Sequence, residues 1–103
     1  MANQVCFSGK VNFEPTINPT KSGKNMASFS IGVYNGKDAN GKSKYFNVRC
    51  KVFDERYVDG LMNLTVPANV IVVGRMQCNT YTDKNGVTRN ELEVNCDSVG
   101  VEL

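Results

Sequence analysis

The chain has 103 residues, of which 41% are hydrophobic and 9% aromatic, and its formal net charge at neutral pH is +2. This length and composition predict a single globular domain, residues 1–103, and exclude a second domain with its own core. No run approaches the roughly 20 apolar residues of a membrane-spanning helix, and no signal peptide opens the sequence, so we expect a cytoplasmic protein.

The charges are distributed unevenly along the chain. Residues 1–51 contain eight Lys or Arg and two acidic residues, whereas residues 52–103 contain four Lys or Arg and eight acidic residues. Such a chain can present a concentrated basic face to a polyanion although its net charge is small. The alternative is that the two halves mix evenly over the surface.

Alternating apolar and polar residues predict the first two strands. The first covers residues 5–11 and contains Gly9, a position for a bulge or a close approach of two backbones. Residues 12–25 include two prolines and a Lys-Ser-Gly-Lys turn, which predict a loop or an irregular ribbon. The second strand covers residues 26–34. Residues 35–44 are rich in lysine and bounded by two Asn-Gly turn signals, which predict a mobile basic hairpin loop.

The third predicted strand, residues 45–53, has two different faces. The apolar face, predicted to contact the core, consists of Phe46, Val48, Cys50 and Val52. The opposite face carries aromatic side chains on either side of two cations: Tyr45, Asn47, Arg49, Lys51 and Phe53. Aromatic rings offer stacking surfaces to bases, and cations contact phosphates. Alternatively, the rings only cover the end of a barrel and the cations keep the strand soluble.

The second half of the chain predicts one helix and two strands. The helix covers residues 54–64 with Asp54 as its N-cap, and the fourth strand covers residues 69–82 with a kink at Gly74. After a hairpin turn, the fifth strand covers residues 88–97, with Leu92, Val94 and Cys96 facing the core, and it is extended by alternating apolar residues, Val99, Val101 and Leu103. Five strands with a short helix between the third and the fourth predict an all-β fold, a five-stranded OB-fold barrel.

The sequence offers little material for a metal centre or for catalysis. It has four cysteines and no histidine, and no two cysteines form a close pair. Cys50, Cys78 and Cys96 lie on the apolar phase of their strands, so we interpret them as buried free thiols, with a metal site or a disulfide as the alternative. We predict no metal, no cofactor and no enzymatic activity, because no nucleophile motif or phosphate-binding loop occurs and the acidic residues fall in turns or in the last strand.

Five segments together resemble the bacterial and phage single-stranded DNA-binding proteins over about residues 3–103. In chain order they are Ala-Ser-Phe-Ser-Ile (27–31), Phe-Asn-Val-Arg-Cys-Lys-Val-Phe (46–53), Val-Val-Gly-Arg-Met-Gln (72–77), Tyr-Thr-Asp-Lys-Asn-Gly (81–86) and Glu-Val (93–94). The resemblance implies an OB-fold that binds single-stranded DNA with little sequence preference, usually as an oligomer, and protects it in replication, recombination or repair.

The resemblance and the residue pattern together indicate which residues bind DNA. The base-stacking aromatics of the family correspond to Phe53 and Tyr81, and the pattern around the basic loop adds Tyr34 and Tyr45. Phosphate and polar contacts are expected from Lys37, Lys42, Lys44, Arg49, Lys51, Arg75, Gln77 and Asn79. The family often carries tryptophan at its stacking positions, whereas this chain has none. Since tyrosine and phenylalanine also stack on bases, we expect weaker binding rather than loss of binding.

Partners and location are less closely defined by the sequence. Bacterial members of the family usually end in a flexible linker and an acidic tip that recruits replication and repair proteins, whereas residues 100–103 here are still strand-like. There are three alternatives: the tail was removed, the chain is a tail-less phage or mobile-element relative, or it is a primosome-type relative. The sequence therefore does not define replication or repair partners. We expect a nucleoid-associated protein or one acting in a phage-infected cell.

Two other functions and two assembly states are compatible with the sequence. The first alternative function is an OB-type primosome or assembly module that binds proteins, with weak or no DNA binding, and the second is an OB domain that reads structured RNA. The first strand and the apolar end of the chain could pair across a two-fold axis, which predicts a homo-oligomer, either a dimer or a tetramer.

Overall fold

The computed structural model describes residues 2–102. The elements in chain order are β1 (Val5–Val11), β2 (Thr16–Pro19), β3 (Asn25–Lys37), β4 (Ser43–Val52), α1 (Glu55–Met62), β5 (Ala68–Thr82) and β6 (Thr88–Val101). Their order in the sheet is β1-β5-β6-β4-β3-β2, and an additional pairing of β1 with β3 closes the sheet into a barrel of β1, β3, β4, β6 and β5. This confirms the predicted five-stranded OB-fold barrel with a helix between its third and fourth strands. No helix within the described residues is long and apolar enough to cross a membrane.

Closure of the barrel depends on glycine. β1 meets β3 at the pair Lys10–Gly32, and a Cβ atom on the neighbouring Gly9 would overlap the backbone carbonyl of Gly32. A second close approach lies between β5 and β6. A Cβ on Gly74 would overlap the backbone carbonyl of Asn95, directly after a register shift between these two strands. The predicted close approach at Gly9 and the predicted kink at Gly74 are confirmed.

The core lies inside the barrel and is mainly aliphatic. Every barrel strand contributes fully or almost fully buried side chains, among them Val11, Ile31, Val52, Val72 and Val94. The helix α1 adds Val58 and Leu61 to this core. Asp54 caps the helix as predicted, because its side chain accepts a hydrogen bond from the backbone N–H of Arg56 at 3.0 Å. The helix ends at Met62, two residues before the predicted end.

The segment predicted as a loop or irregular ribbon contains a further strand. β2 pairs antiparallel with the beginning of β3, from Thr16–Ser28 to Pro19–Asn25. Because β2 is at the edge of the sheet, the missing N–H of Pro19 interrupts no inner ladder. A strand of four residues is too short to show a clear alternation in sequence.

Three hairpins share one five-residue turn, at residues 20–24, 38–42 and 83–87. In each, the first N–H donates to the fifth carbonyl at 2.7–2.9 Å, and a glycine at the fourth position donates to the first carbonyl at 3.0–3.1 Å. These glycines have φ values of 84°, 80° and 77°, a region that other residues rarely adopt. In the last two turns an aspartate Oδ1 also accepts the third and fifth N–H groups.

The predicted basic loop at residues 35–44 is half strand and half turn. β3 and β4 continue to the pair Lys37–Ser43, past a bulge between Tyr34 and Lys37. Only the turn at residues 38–42 remains outside the strands. Lys37 and Lys44 therefore lie on paired strands, whereas Lys42 is the last residue of the turn.

Two residues predicted to face the core, Cys78 and Leu92, are exposed, and that prediction is wrong. Leu92 is 59% exposed and pairs with Cys78 across the β5–β6 hairpin. The pairing of β6 with β4 runs only from Glu93 to Cys96, so the hairpin projects beyond the barrel and its inward phase has no core to contact. Phe46, which the third predicted strand placed on its apolar face, is likewise partly exposed. It forms an edge-to-face contact with Phe7, with ring centroids 6.0 Å apart.

All four cysteines are free thiols, but only Cys50 and Cys96 are buried. A side-chain hydrogen bond with Cys96 and burial raise the pKa of Cys50 well above its ordinary value. Residues 2–102 contain no group of three His, Cys, Asp or Glu side chains arranged to hold a metal ion.

The thiols should therefore react in two classes. Cys6 and Cys78 are exposed, so we expect two of the four to react rapidly with an aromatic disulfide reagent in the native protein and all four to react after unfolding. Absorbance of the released thiolate gives the count. The double variant Cys6→Ser/Cys78→Ser should lose the rapid phase. Rapid reaction of this variant would contradict the burial of the other two thiols.

Barrel closure makes a second prediction. Gly9→Ala should lower the free energy of unfolding by about 1–3 kcal/mol, because the new methyl group would have to displace backbone at Gly32. Gly60→Ala is the matched control, since a Cβ there meets no atom within 4 Å and alanine favours a helix interior by about 0.5–1 kcal/mol. Urea denaturation measures both. Equal stability of Gly9→Ala and the wild type would show that closure does not require a glycine.

Candidate nucleic-acid interface

The outward side chains of β3 and β4 form one continuous surface, which we call the outer β3–β4 surface. Its cross-strand pairs are Tyr34–Tyr45, Gly32–Asn47, Ser30–Arg49 and Ser28–Lys51. Successive pairs are two residues apart, which is roughly 6.6 Å along a strand. Phe53 follows directly after β4, in phase with the outward residues of that strand. Most of the residues predicted from the third strand therefore lie on this surface.

The surface continues across β6 onto β5. The rows that connect the strands are Arg49–Glu93–Gln77 and Lys51–Asn95–Arg75. Asn79 and Tyr81 follow on the same phase of β5, where the β5–β6 hairpin leaves the barrel. The strand register thus brings the predicted residues of the fourth strand onto the same side of the barrel as those of the third.

The four predicted stacking rings are all accessible, with exposed fractions between 48% and 65%. Tyr34 and Tyr45 form an edge-to-face pair with ring centroids 5.9 Å apart and an interplanar angle of 72°. The register places Tyr81 toward the Tyr45 end of β4, whereas Phe53 lies eight residues from Tyr45, roughly 27 Å along an extended strand. The rings are therefore spread along the surface and do not form one cluster.

Two of the predicted cations are held by carboxylates of β6. The Nη1 atom of Arg49 lies 3.6 Å from Oε1 of Glu91, and the Nζ atom of Lys51 lies 3.1 Å from Oε1 of Glu93. Glu93 is only 3% exposed and also accepts a hydrogen bond from Asn79 at 2.6 Å. These contacts orient the two cations and partly neutralise them. Sequence reasoning missed both glutamates, because their position beside β4 follows from the parallel β4–β6 pairing, which hydrophobic periodicity does not reveal.

The other predicted cations have no such partner. The ion pairs found among residues 2–102 leave Lys37, Lys42, Lys44 and Arg75 without a carboxylate. The three lysines lie at or beside the turn of the β3–β4 hairpin, so their positive charge is concentrated at one end of the outer surface.

Three grooves border the outer β3–β4 surface. Two of them, of about 310 and 340 Å³, share Lys10, Gly32 and Tyr45. A third, of about 220 Å³, is lined by residues that include Ser30, Arg49 and Phe13. Lys10 and Phe13 were not among the predicted site residues. Lys10 could have been found from its outward phase beside Gly9, and Phe13 from being the one aromatic residue in the segment 12–25.

Comparison with protein families identifies a close match. The model of the single-strand binding protein family matches residues 2–101. The chain is 31% identical over 101 residues to single-stranded DNA-binding protein 1 of Staphylococcus aureus (strain COL), covering 96% of this chain and 60% of that protein. It is 28% identical over 106 residues to the single-stranded DNA-binding protein of Mycobacterium tuberculosis (strain H37Rv), covering 96% and 63%. The chain thus spans about three-fifths of the length of these relatives.

Solved structures show the same fold. One is a Plasmodium falciparum SSB in complex with ssDNA, with a TM-score of 0.81 and 22% identity over 98% of this chain and 93% of that one. Another is a small single-stranded DNA-binding protein from Streptomyces coelicolor, with a TM-score of 0.77 and 17% identity over 100% of this chain and 97% of that one.

Proposed function

The chain belongs to the single-strand binding protein family, and on this basis we propose that it binds single-stranded DNA with little sequence preference. The observation that carries the proposal is the outer β3–β4 surface, where exposed rings lie on either side of two cations on a barrel of this family's fold. Every base has a ring face on which an aromatic side chain can stack, so the binding tolerates any sequence. Duplex DNA hides those faces, which gives the preference for single strands.

The aromatic residues supply the base contacts. We assign stacking to Phe53 and Tyr81 at the two ends of the surface, and to Tyr34 and Tyr45 beside the basic hairpin. The two tyrosines pack edge-to-face at 72°, and both rings remain more than half exposed. Each stacked base contributes on the order of 1–3 kcal/mol, as judged by substitution of such residues.

The cations supply the phosphate contacts. Lys37, Lys42, Lys44 and Arg75 neutralise phosphates directly and release condensed counterions, so the affinity falls with salt. Arg49 and Lys51 contact the strand when it competes with Glu91 and Glu93. Gln77 and Asn79, on the adjacent strand β5, add hydrogen bonds.

We further propose that the chain forms a homo-oligomer. One edge of β1 pairs with β5 from Val5 to Val11, whereas its other edge pairs within the described residues only at Lys10. The free edge can accept the same strand of a second copy across a two-fold axis. Of the apolar chain end predicted to take part, Val101 is exposed, Val99 packs on the core, and Leu103 lies outside the described residues.

In the cell, this function places the protein on single strands exposed during replication, recombination or repair, in the nucleoid or in a phage-infected host. Family membership also supports the prediction that the chain is not an enzyme.

The stacking assignment makes a third prediction. Phe53→Ala and Tyr81→Ala should each weaken binding to oligo-dT by about 5- to 150-fold. Because the chain contains no tryptophan and three of its four tyrosines are candidate rings, quenching of tyrosine fluorescence reports mainly binding at or near these rings. Met62→Ala, an exposed apolar side chain on α1, is the matched control and should bind like the wild type.

Duplex DNA and structured RNA of equal length complete this titration. Quenching by single-stranded DNA alone, weakened by salt, is the expected result. Absence of binding by the wild type at low salt would refute DNA binding and favour a protein-interaction module, and tighter binding to the RNA would favour an RNA reader.

The ion pairs on the surface make a fourth prediction. Glu91→Gln should raise the affinity for oligo-dT by up to about five-fold, because an exposed ion pair contributes at most about 1 kcal/mol and Arg49 no longer has to leave a carboxylate. The plot of log affinity against log salt should steepen by about 0.7 if Arg49 then neutralises one more phosphate. Glu55→Gln on α1 makes the same change of charge elsewhere and should leave the salt slope unchanged. Equal effects of both variants would mean that net charge alone is responsible.

A further inference from the structure

Phe13 is an aromatic side chain that the fold leaves in solvent. It is 85% exposed, the highest value among the large apolar side chains exposed in residues 2–102. The four-residue connection that carries it, residues 12–15, is anchored at both ends. Val11 before it is completely buried, and Thr16 after it pairs with Ser28 of β3. The backbone that carries the ring is therefore anchored on both sides, while the ring itself contributes little to the core.

The ring borders a groove on the outer β3–β4 surface. This groove, of about 220 Å³, is lined by Phe13, Glu14, Thr16, Ser28, Phe29, Ser30 and Arg49. Ser30 and Arg49 are cross-strand partners, so the floor of the groove belongs to the same surface as the tyrosine pair. An aromatic ring, small hydroxyl groups and a guanidinium thus meet at one concave site.

We propose that this groove is a further base-binding site, in which a base of single-stranded DNA stacks on Phe13 beside Arg49. The proposal rests on the proposed function. The ring supplies a flat apolar surface, and the guanidinium supplies hydrogen-bond donors for the base edge or for the adjoining phosphate. Glu14 repels a phosphate at the Phe13 end of the groove, which favours a base there.

The position of the groove extends the path of the strand. The Ser30–Arg49 pair lies two pairs from Tyr34–Tyr45, roughly 13 Å along β3 and β4. The grooves that contain Lys10 border the Gly32–Asn47 and Tyr34–Tyr45 pairs between these points. A single strand that starts at the tyrosine pair can thus follow the outer β3–β4 surface to the β1–β2 connection and end on Phe13.

A tryptophan at position 13 tests the contact directly. Since the wild-type chain has none, the indole of Phe13→Trp would be the only one, and it can be excited without the tyrosines. We expect oligo-dT to quench it and to leave the indole of Met62→Trp on α1 unchanged. Phe13→Ala should weaken binding of oligo-dT by about 5- to 150-fold, whereas Phe13→Tyr should keep the wild-type affinity.

The controls separate this inference from the proposed function. If the wild type does not bind oligo-dT, the proposed function itself fails. If the wild type binds and Phe53→Ala weakens binding, but Phe13→Ala does not and the indole at position 13 is not quenched, only the Phe13 site is refuted. Sedimentation analysis covers the remaining case. A change of oligomeric mass in Phe13→Ala at unchanged DNA affinity would identify Phe13 as a contact between copies and overturn the proposal.

Discussion

The architecture depends on one close contact between two backbones, where β1 crosses β3 at Gly9 and Gly32. This contact turns a curved sheet into a closed barrel, and closure encloses the core that Val11, Ile31 and Val72 fill. The same contact brings Lys10 beside Tyr45, although the two are far apart in sequence. The contact that closes the barrel therefore also forms the groove between Lys10 and Tyr45 on its outside.

The acidic residues of β6 give the outer surface a property that its composition alone does not suggest. A cation on a strand exposed to solvent samples many rotamers, whereas Lys51 is held by Glu93, which is itself fixed by Asn79. Such pairing lowers the attraction of the free protein for any polyanion and reduces the conformational freedom that a bound strand must remove. Arg49 and the more exposed Glu91 form the looser version of the same arrangement. The unpaired lysines of the hairpin supply long-range attraction for the polyanion. The paired cations, whose side chains are already oriented, supply contacts at defined places on the surface.

Much of this molecule could be predicted from its sequence. The features that could not be predicted share one cause. Strand alternation, the Asp54 cap and the roles of Gly9 and Gly74 follow from local rules, so the barrel and its helix were predicted correctly. The exposed Cys78 and Leu92 were predicted wrongly because alternation reports the phase of a strand and not where the core beneath it ends. The partners of Arg49 and Lys51 depend on which strands become neighbours, which is a property of the whole topology. The Asn-Gly signals marked the basic turn correctly but could not show that half of the predicted loop belongs to the two strands.

The repeated five-residue turn has a consequence for how this fold can vary. Each copy forms its key hydrogen bonds within its own five residues and relies on one glycine, so it imposes no condition on the length of the strands that lead into it. Because strand side chains alternate with a period of two, adding or removing one residue on each strand of a hairpin preserves the pairing but reverses the faces, whereas a change of two on each preserves both. The β3–β4 and β5–β6 hairpins can therefore vary in length independently of each other. Homologues can differ in hairpin length by two residues on each strand, and thereby in the length of nucleic acid they cover, while the barrel stays constant.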